Sequence, residues 1–163
     1  MNSQNDTLER IREAFRLYCR SEHLEGRRRL HAIWDELDPD GDPFFRCLTA
    51  HYLAETQSDP NEALRWDMRA LQVAESATVE GDATRPSEAA LHAFYPSLHL
   101  NLADGYRKLG DFDSARRHAD LGMESSGGLG LDAYGQNVRA GLVRVTAQIE
   151  ELDSGPSVIF DFD

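Results

Sequence analysis

Helix-start signals recur along this chain at Asp42-Pro43, Asp59-Pro60, Asp111 and Asp132, and no convincing strand pattern interrupts them before Ser154. An aspartate in the capping position accepts a hydrogen bond from a backbone N–H two or three residues on. Proline suits the first helical position, where its missing N–H would have had no partner. Asp59 and Glu62, like Asp6 and Glu9, have the spacing of a D-x-x-E capping box. Asp6 is expected to open a first helix with Leu8, Ile11, Phe15 and Tyr18 on one face, and residues 23–26 (HLEG) to form a turn. Leu30, Ile33, Trp34 and Leu37 then make the apolar stripe of a second helix.

A third helix follows Asp42, and a fourth runs from Asp59 to about residue 77. EGDATR at 80–85 reads as a loop. Pro86-Ser87-Glu88 begins the next helical stretch, expected to reach Leu109 with an interruption at Pro96. Gly110 suits a left-handed position after that helix, and SSGGLG at 125–130 ends the one begun at Asp111. The last helix, from Asp132, repeats Val138, Leu142, Val145, Ile149 and Leu152 at three- and four-residue steps. The expectation is an all-α domain over 1–153 with about seven helices. Its hairpins lie near 6–37, 43–77 and 87–126, with a capping helix at 132–152.

A chain of 163 residues fits one domain, and its net charge of −12 argues against general nucleic-acid binding. No apolar run is long enough for a bilayer, and the N-terminus lacks a signal-like profile, so the expected setting is cytoplasmic, without a membrane partner. Sixteen arginines against one lysine suggest a GC-rich bacterial coding bias. Arg27-Arg28-Arg29 reads as a solvated helix face. Cys19 and Cys47 read as reduced, partly buried thiols. DPDGDPFF at 38–45 invites a calcium reading, but an EF-hand needs Gly at its sixth position and Glu at its twelfth. Counted from Asp38 those are Pro43 and Thr49; counted from Glu36 the twelfth is Cys47.

The segment 98–123 resembles a tetratricopeptide repeat, a 34-residue helix–turn–helix unit. Leu102, Ala103, Tyr106, Gly110-Asp111 and Ala115 carry the likeness, and Ala119 and Gly122 fit it less well. A second copy over roughly 44–77 matches at Ala63, Ala70 and Leu71, with Ala50 and His51 departing from the pattern. Ala63 and Ala115 are 52 residues apart, so about half a repeat is inserted between the copies. The resemblance implies a right-handed solenoid of antiparallel helix hairpins. It places Ala103 and Ala115 at the closest helix approach and Tyr106 in the wedge toward the neighbouring hairpin. Ala119 and Gly122 in place of larger residues imply looser packing against a following repeat.

The same resemblance implies a concave face lined by the first helix of each pair: Asn101, Asp104, Arg107 and Lys108 in one copy, and Leu48, Tyr52 and Glu55 in the other. The implied function is a non-catalytic interaction module or adaptor holding a peptide or protein partner there. A carboxylate clamp is incomplete, because acids replace much of it. Within the insertion at 88–101 (EAALHAFYPSLHLN), His92, Phe94, Tyr95 and His99 could line a second pocket. Glu88, His92 and His99 could be imagined as metal ligands, but they straddle Pro96 without a zinc-site spacing, so no metal and no cofactor is expected. Neither a phosphate-binding glycine loop nor a nucleophile elbow is present, so no catalytic residue is assigned. The alternatives are a self-associating structural protein, possible as a homodimer, and a metalloprotein or enzyme using the insertion. The apolar–acidic tail at 154–163 could dock on its own domain, pair with another chain, or remain disordered.

Overall fold

The computed structural model describes residues 3–80 and 86–154. These contain seven α-helices and no strand: α1 (Ser3–Cys19), α2 (His23–Leu37), α3 (Pro43–Glu55), α4 (Pro60–Glu80), α5 (Pro86–Lys108), α6 (Phe112–Ser125) and α7 (Ala133–Asp153). The protein is all-α. The loop expected at 80–85, beyond Glu80, and the tail beyond Ser154 lie outside the described residues.

Local chemistry sets the starts of α3, α4, α6 and α7. The Phe44 N–H donates to Asp42 Oδ1 at 2.9 Å, Asn61 N–H to Asp59 at 2.9 Å, Ser114 N–H to Asp111 at 3.1 Å and Gly135 N–H to Asp132 at 2.9 Å. Gly110 takes φ +80°, the left-handed conformation that glycine adopts without a Cβ penalty. Asp6 does not cap α1, which begins at Ser3; it stands in the first turn instead.

The turn expected at 23–26 falls earlier, at 20–22, with Ser21 at φ 81°. Gly26 is buried inside α2. A Cβ there would stand 2.5 Å from the Tyr18 nitrogen and 2.6 Å from the Ala14 carbonyl oxygen. Gly26 is therefore needed where the α1 and α2 backbones meet, and not to turn the chain.

Each even-numbered helix packs on its predecessor and on its successor: α2 on α1 and α3, α4 on α3 and α5, α6 on α5 and α7. The odd-numbered helices also touch in series, α1 to α3, α3 to α5 and α5 to α7. One core cluster runs from Ile11 and Leu30 through Leu53 and Ala70 to Leu91 and Leu98, all fully buried. A second gathers Ala103, Ala115, Ala119, Val145 and Ile149. Ala103 and Ala115 have no exposed surface, as small residues at a close helix approach should. Tyr106 reaches α4, its hydroxyl donating to Met68 Sδ at 3.7 Å.

Helix α5 continues through Pro96 without the expected interruption. The proline removes one backbone donor, but Pro96, Leu91 and Leu98 are all fully buried, and that packing holds the helix in place. The segment at 88–101 is thus the body of a long helix. The looseness expected at Gly122 is also absent: a Cβ there would lie 2.5 Å from Leu142 Cδ2 and 3.3 Å from His99 Cβ. Helix α7 uses the missing side chain to pack closely on α6. Cys47 is buried, and burial pushes its thiol up to about 12; Cys19 is exposed, not partly buried.

Candidate functional site

Three helices bring polar side chains to one pocket of about 330 Å³. Near its C-terminus α3 presents Glu55; α4 contributes Asp67; α5 supplies Asn101, Asp104 and Lys108 at three- and four-residue steps, and His51, one turn before Glu55, adjoins the site through Asn101. Ala54, Pro60, Ala63 and Leu64 form apolar parts of the wall. The Asn101 amide is central. Its Nδ2 lies 3.2 Å from His51 Nδ1, 3.3 Å from Glu55 Oε1 and 3.4 Å from Asp67 Oδ1.

Burial dominates the electrostatics. Asp67 is 6% exposed, and removal from water pushes its carboxyl up to about 7. The Asn101 hydrogen bond and Lys108 oppose that rise, while Glu55 and Asp104 reinforce it. His51, 3.9 Å from Asp67, is pushed down to about 4 by burial and is neutral at pH 7. Burial of Asp104 would raise its carboxyl, but hydrogen bonds from Lys108 and Arg107 outweigh it and hold the group below the usual range. Lys108 Nζ sits 2.7 Å from Asp104 Oδ2, and Arg107 pairs with Oδ1 at 2.7 Å.

Glu55, Asn101, Asp104 and Lys108, named from the repeat resemblance, therefore share one pocket. Arg107 leans from Asp104 toward α7, lining a neighbouring cleft with Gly141 and Arg144. Tyr52 does not join them; its ring stacks on Phe15 of α1 at 4.2 Å between centroids. Leu48 belongs to the buried core. Asp67 was missed, although a signal existed: an acid stands between Ala63, Ala70 and Leu71 on the apolar stripe of α4. His51 was noticed only as a departure from the repeat pattern.

The residues of 88–101 divide between two sides of α5. Phe94 packs on the main core, edge-on to His51 at 5.0 Å. On the α6 side the rings of His92, Tyr95, His99, His118 and Tyr106 succeed one another at centroid separations of 5.3–6.1 Å. His92 is exposed and borders a shallow cleft with Tyr95, Ser125 and Gly128. His99 is buried, its Nδ1 3.0 Å from His118 Nδ1, so one ring donates to the other. Burial pushes His99 down to about 4, and His118 adds to the effect. Among the described residues no three His, Cys, Asp or Glu side chains gather as a metal site, and no helix is long and apolar enough to cross a membrane. Of the Arg27–29 run, Arg28 and Arg29 pair with Glu25, and Arg27 donates to Gln57 at 3.1 Å.

Comparison with protein-family models, with curated proteins and with solved structures gives no significant match. What the geometry defines is an all-helical protein with a mixed polar and apolar pocket at a junction of three helices.

Proposed function

We propose that this chain is a non-catalytic binding module, a tetratricopeptide-like solenoid of helix hairpins whose groove receives a peptide or protein segment. The observation that carries the reading is the convergence of Glu55, Asn101, Asp104 and Lys108 on one open pocket. The serial contacts of α1 with α3, α3 with α5 and α5 with α7 accord with such a solenoid. The small residues Ala103, Ala115 and Ala119 buried between α5, α6 and α7 accord with it.

Affinity capture from the native cell tests the proposal, using the full chain and a variant with Glu55→Gln, Asn101→Ala and Lys108→Ala combined. The expected result is a specific protein on the wild-type chain that is lost from the variant. Equal retention by both, or nothing specific on either, overturns the groove reading. Tyr52 is left intact because its stack on Phe15 would confound a binding defect with a folding one.

A further inference from the structure

Asp67 lines the α3–α4–α5 pocket as a carboxylate nine-tenths buried, yet among the described residues no lysine or arginine pairs with it. Among the described residues its one ion-pair neighbour is His51 at 3.9 Å, and Lys108, on the same wall, is drawn to Asp104 instead. Buried carboxylates are ordinarily paired, because an unpaired charge away from water is costly. The hydrogen-bond count points the same way. Asn101 has two amide hydrogens but faces three acceptors, His51 Nδ1, Glu55 Oε1 and Asp67 Oδ1, all at 3.2–3.4 Å. Among the described residues Lys108 is the one cation lining the pocket, and it is engaged by Asp104, so Asp67 and Glu55 are left without a cationic donor, while Ala54, Pro60, Ala63 and Leu64 offer apolar wall. A flexible aliphatic stem ending in a cationic N–H donor supplies what is missing.

We propose that this pocket receives one basic side chain, the ammonium or guanidinium of a lysine or arginine on the partner polypeptide, with Asp67 and Glu55 as its acceptors. The inference rests on the groove reading above and names the chemistry of its ligand. The chain's net charge of −12 favours the approach of such a partner. Binding a cation requires Asp67 in its ionised form, so below pH 7 the carboxyl must first release a proton. The groups facing it are His51, Glu55 and Cys47 from α3, and Asp104 and Lys108 from α5. His51 at about 4 and Cys47 at about 12 titrate well away from Asp67.

The test titrates the ¹⁵N-labelled full chain with capped tripeptides, acetyl-Gly-X-Gly-amide, where X is Lys, Arg or Glu. The Lys or Arg peptide should shift the amides of Glu55, Asp67 and Asn101 saturably, with Kd on the order of 1 mM. The Glu peptide should not. Asp67→Asn and Glu55→Gln, which preserve shape, should each weaken that binding about tenfold. Asp67→Asn should also flatten the rise in affinity from pH 6 to 8; unchanged spectra elsewhere show that the variants fold. Unmoved resonances with both basic peptides, equal binding by Asp67→Asn, or preference for the Glu peptide overturns the inference. If the chain still captures a partner through the groove but ignores both basic peptides, the inference fails and the groove reading stands. Failure of both experiments removes both.

Discussion

Helix α5 buries polar groups against α6 on one side and against α3 and α4 on another, and the two clusters are satisfied differently. Toward α6, His99 and His118 meet Nδ1 to Nδ1 at 3.0 Å, one donor for one acceptor, with their rings stacked. Toward α3 and α4, Asn101 spreads two hydrogens over three acceptors, one of them the Asp67 carboxylate, which no lysine or arginine pairs with among the described residues. Burial of polar side chains therefore does not itself mark a site. A mismatch between donors and acceptors, in a pocket open to solvent, does.

Asp67 and the buried histidines should respond to pH in opposite directions. Asp67 is raised to about 7 in the folded chain, so its contribution is full at low pH and is lost as pH climbs through 7. His51 and His99 are lowered to about 4, so their contribution is full above the unfolded histidine range and is lost as pH falls through 4. The largest expected effect is on the first of these. Asp67→Asn removes an ionisation penalty on the order of 4 kcal/mol, so the variant should be the more stable at pH 8, by as much as that. The gap should close below pH 4. Urea denaturation at both pH values measures it, and a pH-independent difference would break the contrast.

A smaller loss, about 2 kcal/mol, is expected for Gly122→Ala. Its new methyl would press on Leu142, which is fully buried and has little room to retreat, and on His99 behind it. A melting curve equal to wild type would mean that the α6–α7 contact is softer than its geometry. His118→Ala should cost about 1 kcal/mol by leaving the buried His99 nitrogen without its partner, and should leave basic-peptide binding unchanged. Altered peptide affinity there would show that the clusters communicate across α5.

The smallest effect on stability, about 0.5 kcal/mol or less, belongs to Asp104→Asn, which loosens one-turn pairs at a partly exposed surface. Its value lies elsewhere. Released from Asp104, Lys108 is free to approach Asp67, and the Lys and Arg peptides should then bind more weakly. Unchanged affinity would mean that Lys108 is not held away by this pair.

Much of the fold was legible because helix caps are local. Asp42, Asp59, Asp111 and Asp132 act on backbone N–H groups two or three residues away, a range that a single sequence displays directly. The absence of period-two patterning excluded strands on equally local grounds. Gly26 was misread for the same reason. A glycine near a turn and a glycine at a helix crossing look alike until the partner backbone is known.

The candidate site was half visible. The repeat resemblance named Asn101, Asp104 and Lys108 on one helix and Glu55 on another. Tyr52 went elsewhere because Phe15, 37 residues earlier in the chain, offered its ring a stacking partner. Asp67 entered the pocket, and His51 came within reach of Asn101 beside it, because α3, α4 and α5 converge there.

What the sequence by itself determined is the all-α class and where most helices begin. These features arise from hydrogen bonds and side-chain patterning read over a few residues. Tertiary structure decided that Asp67 is buried with no lysine or arginine paired to it among the described residues, that Asn101 is oversubscribed, and that His99 finds His118. Each of those facts depends on groups that chain folding brings together from far apart, and their charge states depend on the water excluded when it does.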